Sequence, residues 1–173
     1  VCSSDLSVGS MVALVGGLGV VVLNTTGNIY IMLVFCVVFG ALLGAFNGIL
    51  VTKARIAPFI VTLATMVGFR SIIVQLGQGG PFNVAEDVYE SFRLVASGYL
   101  FRGGAFRGIP YLVIWFGVII LIMSLIMSKT KFGRYVYAVG SNQLAAKLTG
   151  INVDKVKIMT YVITGLLVGV SAF

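Results

Sequence analysis

Gly40, Gly44 and Gly48 stand at four-residue intervals inside an unbroken apolar stretch from Ile29 to Val51. As a helix rising ~1.5 Å per residue, that stretch spans roughly 35 Å, enough to cross a bilayer. Cys36 extends the small-residue stripe backwards, and Asn47 adds a polar group beside it. In lipid, water exclusion no longer drives helices together, so they associate by dispersion where small residues let backbones approach. Gly9, Ala13 and Gly17 form a second stripe, and Gly165 with Gly169 begins a third. Each stripe alone reads as plain packing. Together they predict a compact bundle, which suits a solute pathway better than a lipid-facing anchor.

Of the 173 residues, 59% are apolar and only 10% are charged, outside the usual range of soluble domains. Apolar stretches at about 8–23, 29–51, 57–78, 110–128 and 157 to the end predict an all-α, polytopic transmembrane helical bundle of about five spans. The first is short enough to be a half-helix. Asn24–Asn28 and Thr52–Ala57 read as tight polar turns, and 79–109 and 129–156 as longer polar segments. Cys2 and Cys36 make no disulfide framework. With no histidine and five scattered acids, a zinc or di-metal centre is excluded. Val1–Leu6 reads like a sequencing adapter translated in frame, so the chain is expected to be a partial one. Val1–Ser4 are accordingly read as non-native.

The positions of the charges explain the net +7. Lys53 and Arg55 contribute two positive charges to the second turn. Around the last loop, Lys129, Lys131, Arg134, Lys147, Lys155 and Lys157 stand against Asp154 alone. Between 79 and 109, Arg93, Arg102 and Arg107 are cancelled by Glu86, Asp87 and Glu90, while Arg70 and Asp5 offset each other. Lys and Arg accumulate on the cytoplasmic side of membrane proteins. Two spans separate the basic loops, so both lie on one side. The charge therefore reports orientation and gives no support to nucleic-acid binding.

The segment Pro58–Gln78 is the most polar of the spans. Pro58 sits in its first turn, where a missing N–H costs nothing. Thr62 and Thr65 share one face, and Ser71, Gln75 and Gln78 share another. Arg70 lies mid-span, where a charge costs ~2.5–3.5 kcal/mol on the insertion scale. Two readings stay open: a helix lining a polar pathway, or an arginine that snorkels or caps a neighbour. In the outer loop, Asn83 and Glu86 have capping-box spacing for a short helix over 83–95, followed by a turn at Gly103, Gly104, Gly108 and Pro110. That loop reads as structural, with docking of an external partner as the other reading. In the inner loop, Ser141 or Asn142 can cap a short helix through Leu148, and Gly150 supplies its stop. Ala145 and Ala146 make one side thin, while Leu144, Leu148 and Ile151 offer apolar contacts. Such a helix is either a plain connector or a shape suited to receiving force from a soluble protein.

At this loop a family resemblance becomes specific. GRYVYAVGSNQLAAKLTGINV resembles the cytoplasmic coupling segment of ABC importer permeases, in the branch that holds monosaccharide-type (ribose-like) and branched-chain amino-acid permeases. PFIVTLATMVGFRS, GAFNGILVTKARIAPF and DLSVGS at Asp5–Ser10 are similar to further segments of the sugar branch. Ala64 stands where a glycine is usual, and Ser71 follows Arg70 where glycine is common. The similarity covers residues 5–173. It implies one partial permease domain in a bacterial cytoplasmic membrane, paired with a second permease subunit as a homodimer. It further implies a separate ATPase that binds the ATP and an extracytoplasmic sugar-binding protein. On that resemblance Asn142, Gln143, Leu144, Ala145, Ala146, Lys147, Leu148, Thr149, Gly150 and Ile151 contact the ATPase, and 79–109 faces the binding protein. The translocation candidates are Asn47, Thr62, Thr65, Arg70, Ser71, Gln75 and Gln78.

The expected function is ATP-driven import of a monosaccharide, with the same machine for branched-chain amino acids as the alternative. No cofactor is expected on this chain, which carries no G-x-x-x-x-G-K-[ST] loop. An ion-coupled secondary transporter would want intramembrane acids, and only Asp5 is offered. An intramembrane enzyme lacks a nucleophile and base.

Overall fold

The computed structural model describes residues 5–85, 99–100 and 109–173. Helices dominate: α1 (Val8–Thr26), α2 (Ile29–Lys53), α3 (Pro58–Leu76), α4 (Tyr111–Lys129), α5 (Lys131–Ser141), α6 (Gln143–Leu148) and α7 (Val153–Ser171). Two two-residue strands, β1 (Tyr99–Leu100) and β2 (Ile109–Pro110), pair antiparallel with Tyr99 opposite Pro110. The chain divides into two compact units, one made of 1–83 with 135–173 and one of 84–134.

The first unit is built around α2 and α7, which run antiparallel in backbone contact. Gly48 faces Ile158, Gly44 faces Tyr161 and Gly165, and Gly40 faces Gly165 and Gly169. A Cβ added at Gly40 would meet the Gly165 carbonyl and lie 2.9 Å from the Gly169 nitrogen. One at Gly169 would lie 2.7 Å from Val37 Cα and collide with the Cys36 carbonyl. These obstacles are main chain, which no rotamer change can move. The seam therefore needs glycine on both helices, as small-residue packing in lipid requires.

Helix α1 lies along the same α2. A Cβ on Gly19 would sit 2.7 Å from Cys36 Sγ, so the thiol fills the space a side chain would take. Met11, Leu14, Val15 and Leu23 form the buried stripe of α1 at helical spacing. α3 packs on α1 as well, with Ile73 beneath Gly17. On the opposite side, α2 exposes Tyr30, Val34, Val38, Leu42 and Phe46, an apolar stripe with the Phe35 and Phe39 rings stacked at 5.4 Å. An apolar outer face over a close-packed inner one is what a helix solvated by lipid presents.

Among the described residues, three helices, α1 to α3, are long and apolar enough to span a membrane, and α4 with α5 across their break at Thr130 makes a fourth if the bent pair is one span. The expected transmembrane helical bundle is borne out. Asp154, Lys155 and Lys157 occupy the opening turns of α7 and shorten its apolar part. α1 is also longer than a half-helix. Thr25 and Thr26 donate to the Val22 carbonyl at 2.9 and 2.7 Å, which holds them in the helix. The next turn narrows to Gly27 and Asn28, with Asn28 accepting from Tyr30 N–H to cap α2. Of the helix expected over 83–95, residues 83–85 are not helical and 86–95, with Glu86, lie outside the described residues, as do the turn at Gly103, Gly104 and Gly108 and Val1–Ser4.

In the second unit, Thr130 ends α4 and caps α5. Thr130 Oγ1 donates to the Ile126 carbonyl at 2.6 Å and accepts from Gly133 N–H at 3.2 Å. Gly133 lies against the Met127 backbone, where a Cβ would clash.

Replacing Gly44 by Ala forces overpacking of about 1–3 kcal/mol, whereas Gly68→Ala is neutral or stabilising by up to ~1 kcal/mol, because Gly68 is helical with open space around it. Reversible unfolding of the two variants in bicelles checks this; equal effects would remove the argument for the seam.

Candidate functional site

α6 is a six-residue helix closed at both ends. Asn142, extended at φ −154, accepts from Leu144 N–H at 3.0 Å and Ala145 N–H at 3.1 Å. At the other end Thr149, Gly150 and Ile151 donate N–H groups to the carbonyls of Ala145, Lys147 and Ala146, each at 3.1 Å. Gly150 reaches this geometry at φ +84, where a Cβ is strained. Asn142 rather than Ser141 is the cap; Ser141 Oγ donates back to the Tyr137 carbonyl at 3.0 Å.

The inner side of α6 is anchored by Ala146, which is buried with Val139 of α5 and Val156 of α7. Val136, Ala138, Ile151 and Val153 pack around them. The thin side expected at Ala145 and Ala146 is thus divided: Ala145 points out and Ala146 in. Ile151 also belongs to the inner cluster, so it is not part of the outward apolar surface. Leu144 and Leu148, one turn apart, remain 69% and 82% exposed. Lys157 Nζ donates to Gln143 Oε1 at 3.0 Å, a further tie from α7 to α6. Asn152 caps α7 by accepting from Lys155 N–H at 3.1 Å.

The helix α5 is an addition to the elements expected from sequence. Its signal is present in Phe132, Val136 and Val139, apolar at i, i+4 and i+7 among polar neighbours.

At the opening of α1, a polar chain enters the core. Ser7 N–H and Oγ both donate to Asp5 Oδ1, at 2.9 and 2.6 Å, and Asn47 Nδ2 donates to Ser7 Oγ at 2.9 Å. Met11 Sδ lies 3.3 Å from Ser7 Oγ and 3.8 Å from Asn47 Nδ2. Ser7, Met11 and Asn47 are fully buried, and Asn47 Oδ1 accepts no bond among the described residues. Ser7 is not among the sequence candidates; its cue is the Asp-x-Ser spacing ahead of a helix.

The structure does not gather the translocation candidates into one lining. Asn47 lies between α2 and α1. Thr62 is buried and Thr65 half-buried on α3, and their hydroxyls bond their own helix, to the Phe59 carbonyl at 3.3 Å and the Val61 carbonyl at 3.0 Å. Arg70, Ser71, Gln75 and Gln78 are exposed. One stripe of α3, Val61, Thr62, Phe69 and Ile73, is buried, and those four residues fall off it. No metal-binding cluster occurs among the described residues.

The model of the family "Branched-chain amino acid transport system / permease component" matches residues 3–173, and the chain belongs to that family. It is 33% identical over 171 residues to the ribose import permease protein of Escherichia coli K12, covering 96% of this chain and 50% of that protein. The ribose import permease protein of Bacillus subtilis is 37% identical over 163 residues, covering 94% of this chain and 48% of that one. The galactose/methyl galactoside import permease protein of Haemophilus influenzae is 31% identical, with 94% and 52% covered. The chain thus spans about half the length of the curated relatives it matches. No solved structure matches it.

Ser7→Ala leaves the Asn47 amide only the weak Met11 sulfur as acceptor and is expected to cost about 1–3 kcal/mol. Ser10→Ala, whose hydroxyl only bonds the Ser7 carbonyl within the helix, is expected to cost well under ~1 kcal/mol. The same bicelle unfolding measurement separates them.

Proposed function

We propose that this chain is a transmembrane permease subunit of an ATP-driven importer that carries a monosaccharide of the ribose type across a bacterial cytoplasmic membrane. The observation that carries the reading is α6: closed at both ends, welded to α5 and α7 through Ala146, and presenting Leu144 and Leu148 to the outside. A pair of exposed leucines on a rigid, basic-side element suits the groove of a soluble partner, and an apolar anchor buried in a partner pocket carries most of a small interface's energy. The sugar names of the relatives favour a monosaccharide over a branched-chain amino acid.

In this reading Asn142–Ile151 docks on a separate ATPase, which binds and hydrolyses ATP; the permease needs no cofactor and is not itself an enzyme. A sugar-binding protein delivers solute from outside, and a second copy of the permease completes the pathway as a homodimer in the lipid. When the ATPase pair closes, α6 moves. The Val139–Ala146–Val156 cluster passes the displacement to α7, and the glycine seam passes it to α2 without slack. Rigid-body rocking of packed helices opens one side and closes the other. Asn47, Thr62, Thr65, Arg70, Ser71, Gln75 and Gln78 remain the candidates for the solute path. Of these, the four exposed residues on and just beyond α3 are free to meet a solute or the second subunit.

Converting Leu144 and Leu148 together to Glu is expected to lower ATPase capture and ribose uptake by at least about tenfold, with the permease still present in the membrane. Uptake at the unsubstituted rate would overturn the coupling role of α6.

A further inference from the structure

α4 carries a single charge, Lys129 at its last position. Val118, Ile122, Leu125 and Lys129 follow at i, i+4, i+7 and i+11, which puts them on one face of the helix. All four are exposed. The face is therefore an apolar lane with a cation at its end, rising roughly 17 Å. One leaflet's hydrocarbon is about 15 Å deep. Beyond Lys129 the chain breaks at Thr130, whose hydroxyl bridges the Ile126 carbonyl and Gly133 N–H. Gly133 lies against the Met127 backbone, so the first turn of α5 stays at the end of α4. That turn adds two exposed cations, Lys131 and Arg134, which share a face at i and i+3. Neither helix carries an acid, and none stands in the chain between Glu90 and Asp154.

We propose that the end of α4 and the start of α5 hold an anionic phospholipid. Its phosphate meets Lys129, Lys131 and Arg134, and one acyl chain lies along Leu125, Ile122 and Val118. The Arg134 guanidinium offers a planar fork to two phosphate oxygens, and the lysines add point charges. A zwitterionic lipid brings its own cation to the same place and forfeits most of that attraction. An acidic soluble protein would satisfy the charges but has no use for a lane that runs the depth of a leaflet. The leucines of α6 are the surface suited to a protein; this one pairs headgroup charge with hydrocarbon. The assignment does not depend on which solute the permease carries.

The test titrates the full chain, purified in a neutral detergent, with a fluorescent short-chain phosphatidylglycerol and with the matching phosphatidylcholine. Phosphatidylglycerol is expected to bind at least about tenfold more tightly. Lys129→Gln, Lys131→Gln and Arg134→Gln together should abolish that preference. Lys53→Gln, Arg55→Gln and Lys155→Gln together remove as much charge from exposed positions elsewhere and should retain it. Equal losses in the two triple variants overturn the site, because net charge alone then explains the binding. Loss of ATPase capture in the first variant with lipid preference intact assigns the cluster to a protein and also overturns it. A measurement on the unsubstituted chain stands whether or not the variants fold. Phosphatidylglycerol with a photoreactive headgroup should crosslink within residues 126–134, and crosslinks confined to other segments reject the proposal.

Discussion

Main chain against main chain, at the crossing of α2 and α7, is the contact on which the first unit depends. Gly40, Gly44 and Gly48 on one helix and Gly165 and Gly169 on the other bring the backbones so close that an added methyl would strike a carbonyl or a Cα. Dispersion falls off steeply with distance, so close approach multiplies many small attractions where no hydrophobic drive exists. The contact also removes compliance. Side chains absorb small shifts by changing rotamer, but touching backbones cannot, so α2 and α7 move together or separate.

The rest of the unit uses that rigid pair as its frame. α1 rests on α2 through Gly19 and Cys36 and meets the end of α7 where Gly16 lies against Ala172, and α3 rests on α1 through Gly17 and Ile73. At the basic end the polar chain from Asp5 through Ser7 to Asn47 fixes the start of α1 to α2. On α7 the same end carries Val156, which holds α6 through Ala146. A short helix docked on one end of a stiff pair is a lever, and that geometry underlies the proposed coupling.

Much of this was legible in the chain. The small-residue spacing marked α2 and part of α7 as packing helices, because a four-residue repeat puts residues on one face whatever their partner. Asn142 and Gly150 marked both ends of α6, since capping is local chemistry between a side chain and a backbone a few residues away. Other features were not legible. α1 extends through Thr26 because two threonines bond back into the helix, although the same residues also suit a turn. Ala145 and Ala146 look alike in sequence, yet one is exposed and one buried. Thr62 and Arg70 both lie on the polar α3, but only Thr62 falls on its buried stripe.

Membership of a helical membrane family, the basic side, and the seats of the seam and of α6 follow from the sequence alone. Each depends on composition, or on residues close enough along the chain to act through helical spacing and capping. Tertiary structure alone decided that the glycines of α2 answer those of α7, that Ser7 links Asp5 to Asn47, and that Leu144 and Leu148 are left outside. Those outcomes depend on residues tens of positions apart, and on how one rigid helix rotates about its axis to satisfy another's surface. No local pattern encodes that rotation, because it is set by the steric fit of the whole packed unit.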